Sequence, residues 1–599
     1  KTVCNDNLND KNEECQKAKP IEVIGDNLDI CISPAKMTMD KQRHSLHCFL
    51  TMVKQRRVTY EDLNVQSDTC QTPILDISTH QWIPSKQHMD SVTGNFIFHI
   101  SHTRLKYVKC LEPVKESYQS YIPHKCIDIT KEKSVVLNCD LIDASENSSQ
   151  GMIEILQKVH ELTVPHTQDT VIQKVVFGGD VLTNERAFSA QEAMQNNKSP
   201  YASLCGIIHR PEGLHRQFNF LQVIYQLFYK ENSSMDRGSL YHLRSWINRR
   251  DVSGPKEVVQ KFRPHQQFID DVLDAYLVGV FLDMMDMETV TSEPRSPPLL
   301  NLMNNEQKVK WLNSVSKNIL ANLNFNEFIH INQLRHDLEC LNDDDNQIEA
   351  MKQGDIYNCA LCNKTYTCLP WFKKHLVKKH QWKFHQVNSE VDSSNAVKNF
   401  IFMALLFRDT CDSYKMGDGE RIVRNAHFEW LYDSAVKHSK YKIWLWRMIS
   451  YVISILGIKE SFEYKWNMTV NLKGGICNNI PNDNCVELQV GNIKRELNTQ
   501  GANKSYESAK MICMTTQVVD AIREQLIRTT KTARSKRDRP AVDKSKDIIC
   551  MIQCLRQQGY VKGITWKSFS TYRDPLQCVD ADELHSCINK QKKIANLYL

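Results

Sequence analysis

At 599 residues, with 76 basic against 70 acidic side chains and a formal charge of +6, the chain is long enough for several cores. It is too nearly neutral for charge alone to argue nucleic acid as a partner. The 21 cysteines follow a polar, acidic opening unlike a signal peptide, which points to reduced thiols in cytosol or nucleus. The most apolar run, residues 443–458, carries Arg447 and is too short to span a bilayer, so no membrane partner is expected. Opening on Lys1 rather than Met leaves room for sequence upstream.

In chain order, residues 1–18 are polar and read as a disordered N-terminal segment. A β-branched strand follows at Ile21–Ile24, meets a polar step at Gly25-Asp26-Asn27, and resumes at Leu28–Ile32. An aspartate inside a core strand is costly to desolvate unless a metal ion or a hydrogen-bonded turn compensates. Asp26, or Asp29 three residues on, is therefore a candidate metal ligand, with a local turn as the alternative. Residues 37–58 read as strand or helix, and strand-like pieces stand at 95–101 and 134–141. Helical spacing covers 152–162.

Val171–Asp180 repeats the first design: a β-branched strand delivers an acid, Asp180, after Gly178-Gly179. The spacing then predicts a helix over 181–195, a strand over 204–208, and a strong helix over 218–229 just after His215. From 235 to 465 helices dominate, with an amphipathic one at 268–284, a linker at 292–298 and an acidic loop at 342–346. A loop at 474–481 precedes a helix over 483–497, with Asp483 as N-cap. The rest is mostly helical, broken by a basic stretch at 531–546. The boundaries that follow are a first α/β part over 19–232, a helical insertion over 233–470, a returning helix within 471–525, and a basic C-terminal region over 526–599.

The most specific local pattern lies within 355–385. Cys359 and Cys362 are followed by His375 and His380, the spacing of a two-cysteine, two-histidine zinc finger, with Tyr366 and Phe372 at its small-core positions. Two thiolates on a knuckle and two imidazoles on one helix suit tetrahedral Zn²⁺. A chance coincidence of these residues is the alternative. The base-reading positions hold Cys368, Trp371 and Lys374, of which cysteine and tryptophan read bases poorly. Lys373, Lys374, Lys378 and Lys379 are candidate phosphate contacts, as are Arg534, Lys536 and Arg537 in the basic stretch; solvated surface charge is the plainer reading. Cys550, Cys554, Cys578, His585 and Cys587 are a weaker second set, with buried thiols the expected reading.

Phosphoryl chemistry assisted by Mg²⁺ needs about three carboxylates around two hard ions. Asp26 and Asp180 supply two from strand ends. A third should come from a helix lying on that sheet: Glu487 is the choice and Glu420 the runner-up, with helix capping or an exposed helical face as the ordinary readings.

The pieces Val23–Ile30, Phe177–Thr183, Ser233–Tyr241, Gly417–Ile422 and Asn479–Glu487 together resemble the animal and fungal family of domain of unknown function 6589, whose animal members often carry one such finger. That resemblance implies no established activity. The sequence departs from the family after Glu487, with Leu488-Gln489-Val490 where members tend to have His-Leu-Asn. More loosely, the order of elements is similar to RNase H-like DDE transposases with an all-helical insertion. This likeness implies an α/β + α protein: a mixed RNase H-like sheet core interrupted by a helical insertion bearing the finger. Carried over by order, it gives Asp26, Asp180 and Glu487 as catalytic acids. The expected function is a nuclear, transposase-derived zinc-finger protein that binds DNA, with residual Mg²⁺-dependent strand cleavage or transfer. The rival is a non-catalytic zinc-containing module for nucleic acid or protein.

Overall fold

The computed structural model describes residues 20–34, 36–40, 42–62, 72–233, 237–296, 298–385, 396–501, 504–530, 543–557, 559, 572 and 574–598. The segment expected to be disordered, 1–18, and the basic residues Arg534, Lys536 and Arg537 lie outside the described residues.

Five strands, β1 (Ile21–Ile32), β2 (His44–Gln55), β3 (Val136–Ile142), β4 (Val175–Gly179) and β5 (Ile207–Pro211), form one sheet in the order β3-β2-β1-β4-β5. β2 runs antiparallel to both β1 and β3, while β1, β4 and β5 run parallel. The polar step does not interrupt β1. Gly25, Asp26 and Asn27 pair with Thr51, Leu50 and Phe49 in unbroken register, so the backbone stays satisfied while only the side chains change character. Within the ambiguous stretch 37–58, His44–Gln55 is a strand because β1 offers it a continuous antiparallel partner.

The helices used below are α1 (Lys86–Tyr107), α2 (Ser149–Thr163), α3 (Val181–Met194), α4 (Gly213–Phe228), α5 (Phe262–Met284), α6 (Asn305–Leu323), α7 (Glu327–Ala350), α8 (Leu369–His380), α9 (Ala396–Met416), α10 (Gly419–Ala435), α11 (Ser439–Ser450), α12 (Asn482–Asn498) and α13 (Tyr506–Thr530). The two-residue period of the strands sorts the sheet into two buried faces. Ile24, Leu28 and Ile30, with Leu50 and Met52, pack against Val486, Val490 and Ile493 of α12 and Cys513 of α13. Val23, Phe49, Phe177 and Ile207 pack on the other face against Ile155 and Val159 of α2 and Ala187 of α3. Beside the sheet stands a helical body whose core joins α1, α4, α5, α6, α9, α10 and α11 through residues such as Phe96, Tyr225, Tyr276, Ile319, Phe402, Trp430 and Trp446.

Several local expectations are corrected. Residues 95–101 are helical, inside α1. Ser85 caps that helix by accepting from His88 N, and Val92, Phe96 and Ile100, four residues apart, are fully buried. The acidic run 342–346 continues α7 instead of forming a loop. Asn342 Nδ2 donates to Thr79 Oγ1 at 2.9 Å there. The short strand expected at 204–208 starts at Ile207, because Leu204 takes a left-handed turn with φ of 60°. The loop at 474–481 ends in a two-stranded ladder between Thr469–Asn471 and Asn479–Pro481.

Candidate functional site

β1 and β4 lie side by side with Ile24 opposite Gly178. Two residues on from that pair stand Asp26, within β1 and on the face of Ile24, and Asp180, the residue after β4. On that face α12 crosses β1 and β4 and carries Glu487 to the rim. Burial first, then the charges of Glu487 and Asp180, push the Asp26 carboxyl up to about 8 from its usual 3.8. Asn27 N donates to Asp26 Oδ1 at 2.8 Å, so the local turn-type bond is present alongside the cluster. Asp180 also caps α3, accepting from Thr183 N at 2.6 Å.

A basic group faces these acids. His215, in the first turn of α4, has Nδ1 3.1 Å from Asp483 Oδ2. Burial works against its charged form, yet Asp483, then Asp180 and Asp26, push it up to about 9. Asp483 is not the N-cap of its own helix. α12 begins one residue earlier, and the Asp483 carboxylate instead accepts from Leu214 N at 2.9 Å and His215 N at 3.1 Å, capping α4 from outside. A fourth acid escaped the sequence reading. Glu146, in the loop after β3, is buried and accepts from Thr183 Oγ1 at 2.7 Å and from Arg186 Nη1 at 2.7 Å. Burial raises its carboxyl, and the charge of Asp180 adds to that.

A closed ring of buried charge holds α12 to the strands. Glu22 of β1 takes Arg210 of β5 at 2.7 Å and Lys54 of β2 at 3.1 Å. Arg210 Nε also bonds Glu212 at 2.9 Å, and Asn482, the first residue of α12, donates to Glu212 at 3.0 Å and accepts from Lys54 at 3.1 Å. Arg210 and Glu22 meet across β4 where Gly178 has no side chain. A Cβ there would lie 2.1 Å from Glu212 Oε1, so close approach, not backbone freedom, requires this glycine.

The alternates fall elsewhere. Asp29 is odd-numbered against Asp26 and so points to the opposite face, where it is half-exposed and pairs with His47 at 2.6 Å. Glu420, in the first turn of α10, pairs with Lys125 at 2.6 Å.

The second constellation lies at the end of α7. Cys359, Cys362, His375 and His380 bring their ligand atoms within 4.8 Å of one another, the one such group of three or more among the described residues. Both histidine Nε2 atoms are 3.2 Å from Cys362 Sγ. A short ladder pairs Tyr366 with Tyr357, and Phe372 and Leu376 of α8 are fully buried behind it. Two thiols and two imidazoles converging this tightly fit a tetrahedral ion such as Zn²⁺. Cys550, Cys554, Cys578, His585 and Cys587 form no such group. Asp26, Asp180 and Glu487 do not form such a group. On α8, Lys374, Lys378 and Lys379 are exposed, whereas Lys373 is partly covered and sits 3.7 Å from Asp345. Among the described residues, no helix is long and apolar enough to cross a membrane.

No curated protein and no solved structure matches the chain significantly. A family model, described as a family of unknown function, matches residues 71–539, which include Asp180, Glu487 and the cysteine–histidine group but not Asp26. With well over half of its length matched, the chain belongs to the DUF6589 family of unknown function.

Proposed function

We propose that the protein is a transposase-derived, DNA-binding protein of the nucleus, with an RNase H-like core, a zinc finger in its helical insertion, and a DDE-type acidic site at Asp26, Asp180 and Glu487. The observation that supports this reading is that Asp180 and Glu487, far from Asp26 in sequence, lie close enough for their charges to add to burial in pushing the Asp26 carboxyl up to about 8. The strand order β3-β2-β1-β4-β5, antiparallel then parallel, is the RNase H-like order and supports the core assignment.

When bound, Mg²⁺ would supply charge neutralisation at a phosphate and an activated water or 3′ hydroxyl. The chain's own contribution is placement. Asp26 would offer a carboxylate oxygen from within β1, Asp180 one from the residue after β4, and Glu487 one from a helix. His215, held protonated by Asp483, presents a positive donor to the same rim and limits the repulsion among the acids. Zinc on Cys359, Cys362, His375 and His380 would hold the small finger together rather than do chemistry. Lys374, Lys378 and Lys379 then face solvent along α8 as phosphate contacts.

The test is nicking and strand joining of supercoiled and short duplex DNA with Mg²⁺ or Mn²⁺, by wild type and by Asp26→Asn, Asp180→Asn and Glu487→Gln. Metal-dependent turnover lost in all three variants is the expected result. Turnover that persists in Asp26→Asn removes that residue from the chemistry. DNA binding with no turnover in wild type leaves the alternative function, a non-catalytic zinc-containing module for nucleic acid or protein.

A further inference from the structure

α13 has two apolar faces. One is used: Ala509 and Cys513 are fully buried toward β3 and α12, Asn138 Nδ2 donates to Cys513 O at 2.6 Å, and Gln517 Nε2 donates to Val136 O at 3.2 Å. The opposite face carries Met511, Met514, Val518, Ile522 and Leu526, in steps of three and four, exposed by 67, 46, 59, 60 and 60%. Val519 flanks the row at 48%. A core-facing stripe should be buried, and this one is in water along the whole helix.

We propose that this face is a dimer interface, with α13 of one chain lying antiparallel on α13 of a second copy. Two observations select a second copy as the occupant. First, the row is close to symmetric about the bond between Val518 and Val519. A two-fold axis there sets Met511 against Leu526 and Val518 against Val519 of the other chain, and brings Met514 and Ile522 one residue out of step with each other, beside Arg523 and Thr515. Second, the exposed row amounts to on the order of 600 Å² per chain, close to the ~800 Å² per partner of a specific interface. The inference stands apart from the acidic site and does not depend on it.

Sedimentation of the purified full chain at micromolar concentrations should give a dimer, and Val518→Glu/Ile522→Glu should weaken it by at least tenfold. Both positions are exposed, so far-UV circular dichroism and metal content should match wild type. Chains carrying Met511→Cys mixed with chains carrying Leu526→Cys should form disulfide-linked dimers faster on mild oxidation than either variant alone. A monomeric wild type, or a dimer indifferent to both glutamates, overturns the proposal. Preferential linking of Leu526→Cys to itself overturns the antiparallel arrangement.

Discussion

Asp26→Asn should make the metal-free protein more stable at pH 8, not less. The carboxyl titrates at the usual 3.8 when unfolded and at about 8 in the fold. Between those values the folded chain holds a proton that the unfolded chain has released, so stability falls as pH rises from 3.8 to about 8. A displacement of that size corresponds to a ceiling of roughly 6 kcal/mol. Asparagine never ionises and escapes the loss, although Glu487 and Asp180 still share the rim, so part of that ceiling is recovered. The gain should be about 2–3 kcal/mol, a rise of several degrees in Tm. Scanning calorimetry in chelator from pH 4.5 to 8.5 reads it: the two Tm values should approach at the acid end and diverge with rising pH. Added Mg²⁺ or Mn²⁺ should then raise the wild-type Tm at pH 8 by mass action and leave Asp26→Asn nearly unchanged. Equal stabilities at pH 8, or an equal metal response in the two proteins, would refute the assignment of these acids as a cation site.

Three further outcomes test other parts of the structure. Cys362→Ser should lose its bound zinc by atomic emission and speed amide exchange over 355–385, while β1 and β2 keep their protection; full metal content in the variant excludes that ligand. Gly178→Ala should destabilise the protein by about 3 kcal/mol in a denaturant melt, because Arg210 and Asn482 hold Glu212 where the new Cβ must go; an unchanged midpoint means the ring yields. Replacing Lys374 and Lys378 by Ala should weaken DNA binding for every sequence alike and lower the salt slope by about 1 per lysine. A slope equal to wild type assigns those charges to solvent.

What was legible in the sequence followed from how local each signal is. Cys359, Cys362, His375 and His380 fall in one short stretch whose spacing is itself the geometry, and their side chains converge. Asp26 and Asp180 stand out as candidates because two segments of the sequence repeat one design, and Glu487 because the proposed site calls for a helix on the sheet. Asp483 was misread since capping rules look only along the chain, whereas its carboxylate serves a helix that starts about 270 residues earlier. The strand expected within α1 failed for a related reason. Phe96-Ile97-Phe98 alternates poorly at either period, and the burial of Val92, Phe96 and Ile100 by the helical body decides it. Glu146 had no signal at all. Only the fold brings it to Thr183, close enough for the charge of Asp180 to act on it.

The ring of Glu22, Arg210, Lys54, Glu212 and Asn482 accounts for how α12, so late in the chain, is held against the sheet. Buried ion pairs add little net stability, because desolvation offsets their attraction, and apolar replacements often do as well. Their geometric content is what an apolar patch lacks. Arg210 engages both Glu22 oxygens, at 3.2 and 2.7 Å, and Asn482 both donates and accepts within the ring, so α12 is fixed in translation and rotation at its first residue. Glu487 follows five residues later, about 7.5 Å along the axis, and its position is set before any apolar contact further down α12 is counted. Val486 and Val490 could pack on the sheet in several registers; only one lets Asn482 close the ring. The same logic explains why β4 carries Gly178 two residues before its acid. The space that glycine leaves lets β1 and β5 join across β4, and that junction anchors the helix which delivers the third carboxylate.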